Sequence, residues 1–157
     1  MKSIIYIIAA LLWLQTGFSQ ETSIDKVLLI GDEDQYYENL VGSCDKMLLT
    51  VSDNSMNIAF EHWTSLLSSM ETAAEDADFD LKGIKMWVNV FWNADGSIKN
   101  IFYYPKPNSK NMDFEKLTYF MEAFAADFIL PIDSNTCFSH YGSASFPIRS
   151  RVNRDAK

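Results

Sequence analysis

Apolar residues recur along this chain in two periods, and the places where the period changes mark the predicted elements. Met56, Phe60, Trp63, Leu67, Met70 and Ala74 repeat by fours and threes, the stripe of an amphipathic helix. Asp53 or Asn54 is placed to cap it, and it runs into the acidic stretch Glu71–Asp80 before stopping ahead of Gly83. Phe114, Leu117, Met121, Phe124 and Phe128 form a second stripe, ended by Pro131. Between the two, Ile84 to Trp92 and Ile98 to Tyr104 read as strands around Asn93-Ala-Asp-Gly96, a turn in which Gly96 supplies a positive φ. Ser143 to Arg151 reads as a last strand with Ala144, Phe146 and Ile148 on one face, and Pro147 favours an edge position for it.

The N-terminal part is less regular. Val27-Leu-Leu-Ile30 fits an edge strand or a helical turn. Asp32, with Gln35 three residues on, predicts a capped helix carrying Tyr37, Leu40, Val41, Cys44 and Leu48, although Gly42 lies inside the pattern. Ile132 to Tyr141 reads as a loop that holds Cys137 and His140. The pattern therefore predicts an α+β domain with a small three-stranded antiparallel sheet (hairpin, helix, strand) packed on two or three helices.

The hairpin carries large apolar residues on both faces. Strict alternation turns Val88, Val90, Trp92, Ile98 and Phe102 toward the helices and leaves Trp87, Phe91, Ile101 and Tyr103 on the other side. That much aromatic area calls for a cover. The N-terminal segment from Val27 to Leu49 is the expected one, with a homodimer or a different protein as alternatives.

Compartment follows from the ends and the cysteines. Lys2 precedes an unbroken apolar run from Ile4 to Leu14, with Gly17 and Ser19 spaced as in a cleavage site. This predicts a signal peptide over residues 1–19, since the run falls short of the roughly 20 residues of a membrane span. It leaves an N-terminal segment over 20–52, the α+β domain over 53–151 and a polar tail over 152–157. With the leader removed, no membrane span is expected, and the destination is periplasmic or secreted. There, Cys44 and Cys137 form a candidate disulfide, the alternative being two buried thiols. A net charge of −8 and the lack of a basic stripe argue against nucleic acid as a partner.

The strand-turn-strand run from Gly83 to Ile101 through Asp95-Gly96, the Phe114–Phe128 helix with Leu130-Pro131, and Ser145-Phe-Pro-Ile148 together resemble the C-terminal domain of TonB and its relatives, over residues 53–151. The resemblance implies a non-enzymatic periplasmic module that captures an extended segment by strand addition, here at an edge from Ser143 to Ile148. TonB's membrane anchor and proline-rich spacer have no counterpart here, so energy transduction is not implied.

No phosphate loop, nucleophile elbow or zincin motif occurs, and no cofactor is expected. Cys137-Phe-Ser-His140 has metal-ligand spacing, but only Cys44 and His62 could complete a set, and no metal site is expected. A Cys–His nucleophile from Cys137 or Cys44 with His140 would require free thiols, so no catalytic residue is assigned. Lys106 to Asn111 is a basic turn before a helix N-terminus, which suits an anion or simple capping. The acidic run from Glu71 to Asp80 reads as a solvated face. The resulting expectation is a protein-binding module that contacts an envelope protein or peptide through a sheet edge or an aromatic face, with Trp87, Phe91, Ile101, Tyr103, Ser143, Ser145 and Phe146 as contact residues. A small self-associating structural protein of the envelope is the alternative.

Overall fold

The computed structural model describes residues 24–148; the leader and tail of the sequence reading lie outside them. The chain forms β1 (Val27–Leu29), α1 (Asp34–Ser43), β2 (Lys46–Met47), α2 (Leu48–Val51), α3 (Met56–Asp76), β3 (Lys85–Trp92), β4 (Ile98–Pro105), α4 (Phe114–Asp127) and β5 (Phe138–Ser145). The fold is α+β, but the sheet is not the three-stranded antiparallel one expected. It has five strands in the order β1-β4-β3-β5-β2. The central three are antiparallel, whereas β1 runs parallel to β4 and β2 parallel to β5. Both additions come from the N-terminal segment, whose three- and two-residue strands are too short to show a period.

The main core lies between one sheet face and helices α3 and α4. Trp63, Leu66 and Met70 of α3, with Leu117 and Met121 of α4, pack on Val88, Val90, Trp92, Ile101 and Tyr103. The α3 stripe is buried only from Ala59 and Trp63 onward; Met56 and Phe60, expected in the core, are 70% and 67% exposed. Ser55 caps α3 by accepting the Ile58 N–H at 3.4 Å, not Asp53 or Asn54, which adopt left-handed φ of 55° and 56°. Likewise α1 begins at Asp34 after a left-handed Glu33, and it ends at Ser43, so Leu48 belongs to a separate turn of helix.

A second cluster occupies the opposite sheet face. Leu40 and Cys44, from α1 and its C-cap, close over Phe91 and Phe102, and Tyr36 and Tyr37 pack around them. The Tyr37 ring stands edge-on to Phe102 at 4.9 Å and to Phe91 at 5.9 Å. Burying two phenylalanines contributes about 1.5–3 kcal/mol each, with a smaller increment from ring geometry. Two polar contacts lie beneath α1: the Tyr36 hydroxyl donates to Asn100 at 2.8 Å, and Asn89 donates to the Tyr37 oxygen at 2.9 Å. Cys44 and Cys137 are disulfide-bonded, with Cα atoms 4.9 Å apart, and fasten the end of α1 to the approach to β5.

The face assignment of β4 is corrected. Phe91 pairs with Asn100 but Trp92 with Ile98, so Lys99 is an extra residue that resets the alternation. Ile98, Ile101 and Tyr103 consequently all face the helices, and Phe102 faces α1. Gly96 closes the hairpin at φ 82°, and a Cβ there would lie 2.1 Å from the Leu130 oxygen. Only glycine lets the turn approach the exit of α4 so closely.

Candidate functional site

The last strand starts five residues earlier than expected, at Phe138, and ends at Ser145. Phe138, His140, Gly142 and Ala144 share the helix face. Their small or flat side chains leave room for α3, and a Cβ on Gly142 would sit 2.8 Å from the Trp63 ring. His140 is therefore a strand residue rather than a loop residue. Its ring lies 4.7 Å from that of Trp63, and burial holds its pKa below the ordinary 6.5.

The outer edge of β5 is only partly paired. Lys46 and Met47 lie against Phe138 and Ser139, and the chain then turns into α2. The Phe146 N–H donates to the Ile84 oxygen at 3.0 Å, which sets the antiparallel alternation. By that parity, Ala144, Gly142 and His140 direct their backbone groups at β3, whereas Tyr141, Ser143 and Ser145 direct theirs outward. Among the described residues no strand lies against this edge beyond Ser139.

A groove of about 490 Å³ wraps that edge. Its floor is Ser139, His140 and Tyr141 of β5. Tyr37 and Val41 of α1 form the wall on one sheet face, and Met56, Phe60 and Trp63 of α3 form the wall on the other. Met47 closes it at the point where β2 leaves the edge. Val41, Met47, Met56, Phe60 and Tyr141 are all exposed. Asn89 also lines the groove; it is 5% exposed, and its amide oxygen is buried without a hydrogen-bond partner.

Of the expected contact residues, the structure brings Ser143 and Ser145 to the open edge and leaves Trp87 half-buried. Trp87 stacks on the exposed Tyr104 at 6.4 Å, with the Lys106 ammonium 5.1 Å above its ring, on the part of the second face that α1 does not reach. The other four are out of reach. Phe91 lies under α1, Ile101 and Tyr103 belong to the helix-side core because of the Lys99 bulge, and Phe146 is 4% exposed, its backbone bonded to Ile84. The groove residues went unrecognised. Their signal was present in the α3 stripe, but an apolar helix face reads as core whether it meets the sheet or runs past it.

The remaining chemical candidates are engaged elsewhere. Both cysteine sulfurs are in the disulfide, so neither a thiolate ligand nor a Cys–His nucleophile exists in this state. Asp113 caps α4, accepting the Glu115 N–H at 3.2 Å and the Lys116 N–H at 3.4 Å; this fills the helix N-terminus that would have suited an anion. Lys110 of the basic turn pairs with Asp80 at 2.6 Å. Among the described residues no helix is long and apolar enough to cross a membrane.

Comparisons with protein-family models, curated proteins and solved structures find no match to this chain.

Proposed function

We propose that this chain is a non-enzymatic binding module of the periplasm or cell exterior, which takes up an extended segment of an envelope protein along the outer edge of β5. One observation carries the reading: β2 covers the edge only at Phe138 and Ser139, and the backbone groups of Tyr141, Ser143 and Ser145 point away from β3. Unpaired N–H and C=O groups beside a two-residue parallel strand form a template that an extended peptide completes. The sequence resemblance to TonB C-terminal domains supports the same mode of capture. The apolar leader and the Cys44–Cys137 bond support an oxidising destination outside the cytosol.

Ser143→Pro tests this directly. It removes one outward N–H and spares the bonds to β3, and the preceding Gly142 tolerates the restriction that proline places on its neighbour; Ser143→Ala, which removes only the hydroxyl that accepts from Lys106, is the control. Peptides selected from a random linear display library serve as probes. Their affinity is expected to fall at least tenfold in the variant, and in the wild-type protein the amides of Tyr141, Ser143 and Ser145 are expected to exchange more slowly once a probe is bound. Unchanged exchange at all three amides would refute strand addition.

The half-exposed Trp87–Tyr104 pair favours a second reading, in which this aromatic strip drives self-association.

A further inference from the structure

Helix α1 closes only part of the second sheet face. Beyond Tyr37 the strand register leaves two rows of side chains in the open. Tyr104, Trp87 and Ser143 stand side by side across β4, β3 and β5. Lys106, Lys85 and Ser145 form the next row, since the Lys106 N–H donates to the Lys85 oxygen at 2.8 Å and Lys85 pairs with Ser145. Residues two apart in a strand share a face, so all six belong to this surface. Tyr104 is exposed and the other five are half-buried. Lys106 lies across the strip, its ammonium 5.1 Å from the centre of the Trp87 ring and donating to the Ser143 hydroxyl.

This strip is cationic in an acidic molecule. Strands β3, β4 and β5 carry no Asp or Glu, although the chain has 21 such residues. Among the described residues Lys85 and Lys106 have no carboxylate partner, whereas Lys110 and Lys116 have Asp80 and Asp113. Asp32, Glu33 and Asp34 come between β1 and the first turn of α1, on the β1 side of Tyr104 and away from β3. The attraction for an anion therefore centres on Lys85 and Lys106, toward β3 and β5.

Aromatic rings, hydroxyls and unpaired ammoniums on one flat strip call for a ligand with an apolar face, hydroxyls and negative charge. We infer that this surface binds a carboxylated glycan, a ligand separate from the segment proposed for the β5 edge. A sugar ring packs its C–H face on the exposed Tyr104 ring. Its carboxylate lies between the Lys85 and Lys106 ammoniums, and its hydroxyls reach those of Ser143 and Ser145. Other occupants fit less well. Strand β3 is paired along both edges at Trp87, so a peptide finds no open ladder on this face. A polynucleotide depends on many cations, and the strip offers two on a chain at −8. Helix α1 stands above the sheet beside the strip and carries the exposed Glu38, which holds a flat acidic bilayer away. A second copy would set Lys85 and Lys106 against strands that hold no carboxylate.

The experiment adds tetragalacturonate or a hyaluronan tetrasaccharide to the oxidised protein without its leader and follows amide and aromatic chemical shifts. Saturable changes at Trp87, Tyr104 and Lys106 are expected with at least one of the two. The methyl-esterified galacturonate tetramer keeps the sugar rings and loses the charge; it should bind at least tenfold more weakly. Tetraglutamate keeps the charge and lacks the rings, and it should be weaker by a similar factor. Lys85→Gln and Lys106→Gln should each weaken glycan binding about fivefold, and Tyr104→Ala about tenfold. None of the three side chains is in the core, and unchanged core shifts confirm the fold of each variant. Binding of neither glycan at the strip would overturn the inference. So would a methyl ester or tetraglutamate that binds as well as the glycan, or a Tyr104→Ala variant that binds as the wild type does. A concentration-dependent dimer of the protein alone that Trp87→Ala abolishes would assign the strip to a second copy and overturn it too. The β5 edge is tested separately, by Ser143→Pro with peptide probes, and stands or falls without this result.

Discussion

His140 is half-buried between the β5 backbone and the Trp63 ring, and burial disfavours its charged form. The unfolded chain accepts the proton near pH 6.5, and the folded chain resists it until a lower pH. This contribution is therefore complete above pH 6.5 and is lost as pH falls through the folded value. Urea midpoints measured from pH 7.5 down to 5 are expected to decline, and His140→Gln should flatten the decline. Asp80 and Asp95 act in a separate window. Hydrogen bonds, from Lys110 to Asp80 and from Ser97 to Asp95, hold both carboxyls below the ordinary 3.8, so their contribution disappears only in stronger acid. A decline unaltered by His140→Gln would assign the acid sensitivity to another group. Lys99 is the other residue with consequences beyond its size. As the extra residue of a bulge it places Ile101 inside and turns Phe102 to α1, and strict counting from Ile98 reverses both.

At the scale of elements, the α3 and α4 stripes, the hairpin and its Asp-Gly turn were legible because each spans enough residues to display its period. The β1 and β2 strands were not, since three and two residues of either period look alike. The start of β5 was hidden because Phe138 is followed on the helix side by His140 and Gly142, so no run of large apolar residues marks the strand. His140 and Gly142 are flat or small because Trp63 presses on them. The groove was invisible for a related reason, as Met56 and Phe60 continue a stripe whose later members are core. Helix α1 depends on its fastening. Closing a loop with a sequence separation of 93 removes unfolded-state entropy equivalent to about 4–5 kcal/mol. Reduction, or Cys44→Ala with Cys137→Ala, is expected to lower stability by about 2–5 kcal/mol in urea titrations. The same change should speed amide exchange throughout residues 34–43. An unshifted midpoint would mean that Tyr36, Tyr37 and Leu40 hold the helix unaided.

For the molecule as a whole, the helices cover one sheet face, α1 covers part of the other, and two surfaces are left over. One is the walled edge of β5; the other is the strip of Trp87 and Tyr104 with Lys106 above it. Light scattering across a wide concentration range separates their roles. A monomer throughout is expected if the edge is the working surface. A dimer lost in Trp87→Ala would favour the strip and self-association.

The two outermost strands have a consequence for the order of events during biogenesis. Residues 27–29 and 46–47 are among the first described parts of the chain to be synthesised, yet they rest on β4 and on β5, the last strand made. β1 cannot settle until residue 103 has emerged and β2 until residue 139, and Cys44 has to wait for Cys137. During synthesis Tyr36, Tyr37 and Leu40 therefore stay unsheltered until Phe91 and Phe102 have been made, so a holdase chaperone acting on the growing chain would meet α1 before any other helix of the described residues.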